Sequence, residues 1–306
     1  MGPEALHAVA GLPFAVAALL HLGTAGALCE QGRASLQRIA FQSNRSGTMQ
    51  IHLMNADGSG VVQLTSGPGT AVAPQFSPDG TRIVFASNRD GRSRVYVMNS
   101  DGSGQRRLTT SADTESEPTW SADGRGVYHR VERGEGSSVV SVVDVDGGAV
   151  HAVTDAARRY MRGQESPDGR RVLLSVVQSG IEVYMMDRGG GGPRRIPGPA
   201  ASVVVPSWSP DGSRVLYARV TPPPAVSGDV HVMHVDGTGD TRLTTGQGVS
   251  EYPCWSSDGS QIAFQTDRDG NFEVYVMRAD GTSPQRLTNG PGFDGRPSWG
   301  RAMPPR

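Results

Sequence analysis

Short apolar runs alternate with turn-forming residues along most of the chain. In residues 74–109 the runs Ile83–Phe85 and Val95–Met98 are rich in Val, Ile, Phe and Tyr and have no helical periodicity. Asp-Gly pairs separate such runs, at Asp79-Gly80, Asp90-Gly91 and Asp101-Gly102. Because Gly accepts a positive φ and Asp tolerates one, these pairs favour tight hairpin turns. The pattern therefore predicts short antiparallel β-strands.

This pattern recurs along the chain at an interval of nearly constant length. Each copy carries an Asp-Gly pair, preceded by Pro-x-aromatic in all but the copy that opens with Gly163-Gln164-Glu165, and the first Asp of successive copies is Asp79, Asp123, Asp168, Asp211 and Asp258. The spacings of 44, 45, 43 and 47 residues from one Asp to the next are the length of a four-stranded antiparallel sheet with tight turns, as in a β-propeller blade. We expect the bulky residues after Pro to pack between adjacent blades, namely Phe76, Trp120, Trp208 and Trp255.

The first and last copies of the repeat are each incomplete. The first begins at Arg38–Phe41 and lacks the opening strand, whereas Arg296–Trp299 supplies that strand with nothing after it. We expect the C-terminal strand to pair into blade one, because this removes two open sheet edges. The predicted fold is all-β, a six-bladed propeller of four-stranded antiparallel blades over residues 38–300 with a tail at residues 301–306.

Composition and the N-terminal segment bear on partners and location. The 306 residues include 41 Gly and 21 Pro and carry a formal net charge of -1, so no general field attracts nucleic acid. Residues 5–28 contain no Asp, Glu, Lys or Arg, which predicts that residues 1–29 are a signal peptide or, alternatively, a membrane anchor. Residues 30–37 are then a linker. We expect a periplasmic or secreted monomer whose membrane contact is limited to an uncleaved N-terminal segment.

The repeated residues resemble those of a known family. The motif Pro-x-Trp-Ser-Pro-Asp-Gly, with a downstream Tyr-Val-Met-Asn-x-Asp-Gly and a closing Leu-Thr, looks like the TolB-like propeller repeat. The resemblance implies a non-enzymatic extracytoplasmic scaffold that binds a protein or peptide at its axial face, in a cell-envelope role of the Tol-Pal type. It concerns the propeller alone, because residues 1–37 are too few for the N-terminal α/β domain of TolB.

The sequence lacks the motifs that usually carry catalysis. It has no Gly-x-Ser-x-Gly elbow, no His-Glu-x-x-His pair and two widely separated cysteines, Cys29 and Cys254. Binding is therefore favoured over catalysis. The alternatives are a polysaccharide lyase or hydrolase that uses the axial pocket, and a carbohydrate- or calcium-binding module.

Asp267–Glu273 has alternating oxygen ligands but fits a hairpin turn better than a calcium loop, so we expect no cofactor. His52 and His231 stand where other copies have Tyr, which predicts packing rather than metal ligation.

Charged and aromatic residues precede or enter the Pro-x-Trp strands. Because the loops entering the innermost strands of a propeller converge around its axis, we expect a binding rim there. Its candidate residues are Glu115, Glu117, Tyr160, Arg162, Glu165, Glu251, Tyr252, Asp294 and Arg296.

Glu165 occupies the position of the core aromatic residue in its repeat, where an unpaired buried carboxylate would be costly. Degeneration of this repeat is the simplest explanation; otherwise the blade edge is open, Glu165 pairs with a cation such as Arg162, or it faces the channel.

Overall fold

The structure is a computed structural model, which describes residues 37–134, 136–198, 202–221 and 227–301. Within these ranges the regular elements are 24 β-strands and no helix. No helix in the described ranges therefore has the length and apolarity needed to cross a membrane. The strands belong to one compact unit, Ser35–Pro304. The expected signal peptide or anchor, residues 1–29, lies outside the described residues.

The strands follow one another in groups of four. Strands β1 (Arg38–Ser43), β2 (Gln50–Asn55) and β3 (Val62–Gln63) are joined by β24 (Asp294–Gly300) from the other end of the chain. The remaining strands, in chain order, are β4 (Ala71–Phe76), β5 (Arg82–Ser87), β6 (Arg94–Asn99), β7 (Arg106–Arg107), β8 (Glu115–Trp120), β9 (Gly126–Glu132), β10 (Ser138–Asp144), β11 (His151–Ala152), β12 (Arg159–Glu165), β13 (Arg171–Val177), β14 (Ile181–Asp187), β15 (Arg194–Arg195), β16 (Ser202–Trp208), β17 (Arg214–Thr221), β18 (Ser227–His234), β19 (Thr241–Arg242), β20 (Ser250–Trp255), β21 (Gln261–Thr266), β22 (Glu273–Arg278) and β23 (Gln285–Arg286).

Strands that are consecutive in sequence pair side by side within each group. The groups β4 to β7, β16 to β19 and β20 to β23 are separate four-stranded antiparallel sheets. The groups β8 to β11 and β12 to β15 are linked by one parallel pair, Ser138 with Arg159. In the sheet of order β24-β1-β2-β3, Ile39 lies opposite Trp299. The prediction of an all-β chain built from four-stranded antiparallel sheets is therefore confirmed.

Hydrogen bonds of the Ser-x-Asp-Gly motif form the turn after the first strand of a group. Ser77 Oγ donates to Asp79 over 2.6 Å and accepts from the Arg82 N–H over 2.9 Å. Gly80 has a φ of 74°, which residues with a Cβ adopt only at a cost. The Ser–Asp bond recurs at Ser121, Ser166, Ser209 and Ser256. The predicted turns are confirmed, and the aspartate holds each of them through its side chain.

Buried apolar side chains form six clusters among the described residues, each between two neighbouring groups of strands. In one of them Trp120 packs with Val84 and Val97 of the preceding sheet. The predicted core tryptophans Trp120, Trp208 and Trp255 are 7, 5 and 7% exposed. Phe76 is only partly buried but packs against the cluster between the first two sheets. The tryptophans therefore serve as the inter-sheet core that the repeat predicts.

One of these clusters brings together the two ends of the described chain. Trp299 of β24 and Ile39 of β1 pack with Ala263 and Val274 of the β20 to β23 sheet. The sheet that contains the first strand therefore contacts the sheet that precedes the last strand.

Glu165 has its carboxylate buried between two sheets and fully satisfied. The Tyr128 hydroxyl donates to it over 2.9 Å, the Ala122 N–H donates over 2.7 Å, and Arg188 Nε lies 2.9 Å away. Of the alternatives for Glu165, pairing with a cation is the one observed, and the cation is Arg188 rather than Arg162. Because Tyr128 and Ala122 belong to the preceding group of strands, hydrogen bonds here replace the packing that Trp provides in other copies.

Candidate functional site

The first strands of all the groups line a common cavity of about 470 Å³, which we name the central cavity. One wall residue per strand illustrates the arrangement, on β4, β8, β12, β16, β20 and β24 respectively: Gln75, Thr119, Gln164, Ser207, Cys254 and Ser298. These six residues occupy the x position of Pro-x-Trp or its equivalent. A cavity of this volume suits a small molecule or a few residues of an extended peptide, not a folded domain.

A backbone irregularity precedes the proline of the cavity-lining strands. The pairing register shifts here, as between Val72 and Gln75 of β4. The residue before Pro adopts a φ between 47° and 53° although it is not Gly, at Ala73, Glu117, Val205, Tyr252 and Arg296. Such a φ costs of order 1 kcal/mol or more for each residue, so the surrounding sheet must enforce it. The strain is concentrated in the wall of the central cavity.

Three side chains of the cavity wall, Arg162, Tyr252 and Arg296, meet Glu117 at this level, and we name the four residues the floor cluster. Arg296 Nη1 lies 2.5 Å from Glu117 Oε1, and its Nη2 donates to the Tyr252 hydroxyl over 2.7 Å. The guanidinium carbon of Arg296 is also 4.2 Å from the centre of the Tyr252 ring. Arg162 Nη1 is 3.7 Å from Glu117 Oε2, beyond hydrogen-bond distance. The cluster thus links residues from β8, β12, β20 and β24.

The charges of the floor cluster determine its protonation. Burial by itself would raise the pKa of Glu117, but Arg296 and Arg162 outweigh burial and hold that pKa below its ordinary value. For Arg296, Glu117 and Tyr252 outweigh burial and raise its pKa. Burial prevails at Arg162, whose pKa is lowered. Glu117 is therefore a carboxylate at neutral pH, held chiefly by Arg296.

The central cavity opens at the face that carries the Ser-x-Asp-Gly turns. Its wall begins at the level of the floor cluster and continues to exposed residues of these turns, namely Pro78, Pro167, Pro210 and Ser257, and to the exposed Arg301 after β24. Residues nearer the beginnings of the lining strands do not contribute to the wall. A ligand entering between the turns would therefore reach the floor cluster last.

Comparison with known proteins identifies the repeat. The sequence profile of the TolB beta propeller domain matches residues 62–218 and again residues 175–302. The chain belongs to this family. No protein of curated function matches it in sequence. The central cavity is accordingly the cavity of a TolB-like propeller.

Solved structures show the same fold at low sequence identity. TolB from Acinetobacter baumannii is similar with a TM-score of 0.77 at 20% identity over 86% of this chain, which spans 66% of that protein. A putative TolB from Agrobacterium tumefaciens is similar with a TM-score of 0.68 at 20% identity, covering 85% of this chain and 91% of the other. A chain of a nidogen/laminin complex is similar with a TM-score of 0.67 at 9% identity, covering 87% of this chain and 99% of the other. At these identities the likeness concerns the fold alone.

All nine candidate residues of the TolB-like propeller lie within strands, not in the loops where we expected them. Glu115 and Glu117 belong to β8, and the other candidates belong to β12, β20 and β24. The reason is that each lining strand begins before its Pro-x-Trp motif and continues through the irregularity at the proline. The structure brings four of the nine together as the floor cluster.

The remaining candidates take part in contacts within and between the sheets. Glu115 is fully buried, accepts from Thr109 Oγ1 and lies 3.6 Å from His129 Nε2. Asp294 is buried and pairs with Arg45 at 2.6 Å. As buried side chains outside the cavity wall, they are not placed to meet a partner.

Tyr160, Glu251 and Glu165 have different positions. Tyr160 is a fully buried member of an apolar cluster. Glu251 accepts from Gln265 Nε2 over 2.9 Å outside the cavity wall, and burial raises its pKa. Glu165 does line the cavity, near the turns, but its carboxylate is occupied by the three partners described above. None of the three joins the floor cluster.

The polar x positions of Pro-x-Trp are cavity residues that sequence reasoning missed. Their signal was present, because an alternating strand with a buried Trp places the neighbouring residue on the opposite face. Thr119 Oγ1 donates to the Gly163 carbonyl over 2.6 Å, and Ser298 Oγ accepts from the Phe76 N–H over 3.0 Å. Burial raises the pKa of the Cys254 thiol to about 12, so this group is neutral at physiological pH. These side chains connect adjacent strands around the wall.

The oxygen-rich hairpin Asp267–Glu273 has its carboxylates engaged by protein groups. Asp267 Oδ1 accepts from the Val249 N–H over 2.6 Å, and Asp269 accepts from the Tyr275 hydroxyl. Glu273 accepts from Thr288 Oγ1 over 2.5 Å. Over the described residues, no three His, Cys, Asp or Glu side chains are grouped as metal ligands would be. The contacts of this segment are those of a hairpin.

The two singled-out histidines pack on aromatic rings. The ring of His52 lies 5.6 Å from that of Phe41, and His231 stacks on Tyr217 at 5.5 Å. Phe85 and Tyr96 form the equivalent pair in another sheet, at 5.6 Å. The packing expected for His52 and His231 is therefore confirmed.

Proposed function

We propose that the chain is an exported, non-enzymatic TolB-like propeller of six blades, closed by β24, that binds a protein or peptide partner through its central cavity. Closure is supported by the pairing of β24 with β1 and by the cluster that joins Trp299 to Ala263. The six inter-sheet clusters among the described residues support the count of blades. In this proposal the propeller spans residues 38–300.

The observation that carries the binding role is the central cavity with the floor cluster inside it. The cavity is lined by polar and apolar side chains in similar measure, reaches exposed turn residues at one face, and is walled mainly by side chains on strands. Such a site has little ordering entropy to lose when a ligand binds. The ionic groups at its floor are hydrogen-bonded or paired to one another, an arrangement suited to recognition rather than to proton transfer.

The cellular setting and the type of partner rest on the family and on the N-terminal segment. Residues 1–29 have the composition of a signal peptide or an anchor, which supports export to the periplasm or beyond. The structurally similar chain of the nidogen/laminin complex belongs to a protein–protein complex, which supports a protein partner. A role in the cell envelope follows if the partner resides there.

The test is capture of envelope proteins on the immobilised full chain with the cavity mouth either free or blocked. Ser257→Trp places a bulky side chain at the mouth, on an exposed wall residue. Ser66→Trp is the matched control, because Ser66 is exposed and does not line the cavity. We expect Ser66→Trp to capture a defined partner as the wild type does, and Ser257→Trp to capture at least about tenfold less of it. Equal capture by both variants would remove the cavity as the binding site.

A further inference from the structure

One cation in the central cavity lacks a full complement of partners. Arg162 is 8% exposed, and its Nε has no hydrogen-bond partner in the part of the chain that the structure describes. Its nearest carboxylate oxygen, on Glu117, is 3.7 Å from Nη1. Arginine carries five N–H donors in a planar fork, and burying them without acceptors is costly. A buried guanidinium in this state is a built receptor for an anion.

The Glu117 carboxylate does not supply the hydrogen-bond acceptors that the Arg162 guanidinium lacks. Its carboxylate is 2.5 Å from Arg296, which is itself fixed by the Tyr252 hydroxyl and ring. The floor cluster thus has two guanidinium groups and one carboxylate, an excess of one positive charge. The charge is not balanced by the wall, because Cys254 is a neutral thiol.

The other carboxylates near the cavity are held elsewhere. Glu165 is paired with Arg188 at 2.9 Å, and Glu251 lies outside the wall with Gln265. The exposed Arg301 at the mouth adds a second positive charge along the route of entry. A negatively charged ligand is therefore favoured at the floor.

We propose that the central cavity binds a carboxylate of a peptide, with Arg162 as its anchor. A single carboxylate balances the excess charge of one, whereas a phosphate dianion exceeds it. The planar carboxylate also matches the guanidinium fork, which favours two parallel hydrogen bonds. This inference rests on the proposed binding function and specifies the ligand chemistry of the same site.

The carboxylate belongs to an extended segment of the partner. The floor lies at the end of the wall opposite the exposed turns, and the cavity of about 470 Å³ does not admit a folded domain. An Asp or Glu side chain and the C-terminal carboxylate of the partner share this chemistry. The experiment below separates these two sources.

The probe is a pool of random heptapeptides selected on the immobilised full chain and read by mass spectrometry. One pool has an amidated C-terminus and a second has a free C-terminal carboxylate. We expect enrichment of Asp and Glu over Asn and Gln by at least about tenfold in the amidated pool if the source is a side chain. Enrichment of the free-terminus pool over the amidated one identifies a chain end as the source.

Arg162→Met is the decisive variant and Arg195→Met its matched control, since Arg195 lies on β15 and pairs with Glu182 away from the cavity. The preference for carboxylates should disappear in Arg162→Met and persist in Arg195→Met. Thermal unfolding should show Arg162→Met to be at least as stable as the wild type, because it removes a buried cation without hydrogen bonds.

Each alternative outcome has a distinct meaning. Peptides captured without any preference for carboxylates, or with a preference that survives in Arg162→Met, overturn the carboxylate anchor and leave peptide binding in place. A third outcome is that no peptide of either pool is enriched over a bare support and that Ser257→Trp still captures the protein partner. In that case both the carboxylate anchor and the cavity as the binding site are wrong.

Discussion

At the scale of single residues, departures from the repeat are compensated by local hydrogen bonds. Glu165 breaks the aromatic consensus, yet Tyr128, Ala122 and Arg188 satisfy its carboxylate. His52 replaces a Tyr and still packs on Phe41. A changed residue is therefore tolerated here where its new polar groups find partners across the sheet interface.

Removing the carboxylate of Glu165 should destabilise the propeller. In Glu165→Ala the Tyr128 hydroxyl and the Ala122 N–H lose their acceptor in a buried setting, so we expect a loss of about 2–3 kcal/mol in the free energy of unfolding. Denaturant unfolding measures it. Glu182→Ala, which removes a more exposed ion pair with Arg195, should cost no more than about 1 kcal/mol. Equal costs would show that the Glu165 contacts contribute little.

His52 should make stability depend on pH. Burial is the main cause that lowers its pKa below 6.5, and Arg45 adds to this while Asp294 and a bond to the Gln50 carbonyl oppose it. Unfolded His52 therefore takes up a proton below pH 6.5 that the folded residue does not, so the free energy of unfolding falls as the pH drops below that value.

The substitution His52→Tyr, which restores the residue of other copies, tests this dependence. The variant should lose less stability than the wild type between about pH 8 and about pH 5. His151→Tyr, at an exposed position on β11, should keep the wild-type profile. The measurement is denaturant unfolding at several pH values. If the free energy of unfolding changes equally with pH in the wild type and in His52→Tyr, His52 is not the cause of the pH dependence.

At the scale of elements, β24 joins the C-terminal end of the described chain to its first sheet. It pairs with β1, places Trp299 in the cluster with Ile39, and contributes Arg296 to the floor cluster. It is the only described strand that joins a sheet from the far end of the chain. Without it, β1 would become an unpaired edge.

Truncation before β24 should therefore have a large effect. A chain ending at Gly292 loses the buried Trp299 together with the backbone ladder to β1, so we expect a loss of at least about 4 kcal/mol or failure to fold. A chain ending at Arg301, which lacks only residues 302–306, is the control and should keep the wild-type melting temperature. Native-like stability of the shorter chain would contradict closure by β24.

At the scale of the whole molecule, the floor cluster connects parts of the chain that are far apart in sequence. Glu117 and Arg296 are separated by 179 residues and are linked by a short ion pair at the floor of the cavity. Because the pair is largely removed from solvent, its energy is screened by salt less than that of a surface pair. The cluster thus contributes both to the stability of the propeller and to the charge of the proposed binding site.

The substitution Glu117→Gln tests the contribution of this carboxylate to stability, because the contribution depends on pH. The pKa of Glu117 is held below its ordinary value, so its stabilising effect is present above pH 4.5 and is lost as the pH falls through the lowered pKa. We expect the variant to be less stable than the wild type by about 3 kcal/mol at neutral pH, with the difference shrinking in acid. Glu132→Gln, on a half-exposed carboxylate, should show neither effect. A difference that does not change with pH would assign the loss to packing instead.

The sequence by itself determined the repeat, the strands and the core. Asp-Gly pairs need a backbone that Gly supplies, and Trp after Pro needs an apolar neighbour, so both can be read from local chemistry. The burial of Trp120 and the turn at Asp79 could therefore be predicted from the residues next to them in sequence. His52 could be interpreted in the same way, because the Tyr of other copies shows what its position requires.

Only the tertiary structure decided which side chains meet in the cavity. The sequence pointed equally to Glu115 and Glu117, yet a shift in register at the proline leaves the first buried beside His129 and brings the second to Arg296. The choice of Arg188 rather than Arg162 as the partner of Glu165 depends on the same geometry. Local propensity has a range of a few residues, whereas these contacts join strands from different sheets, so their distances are set by how the sheets pack.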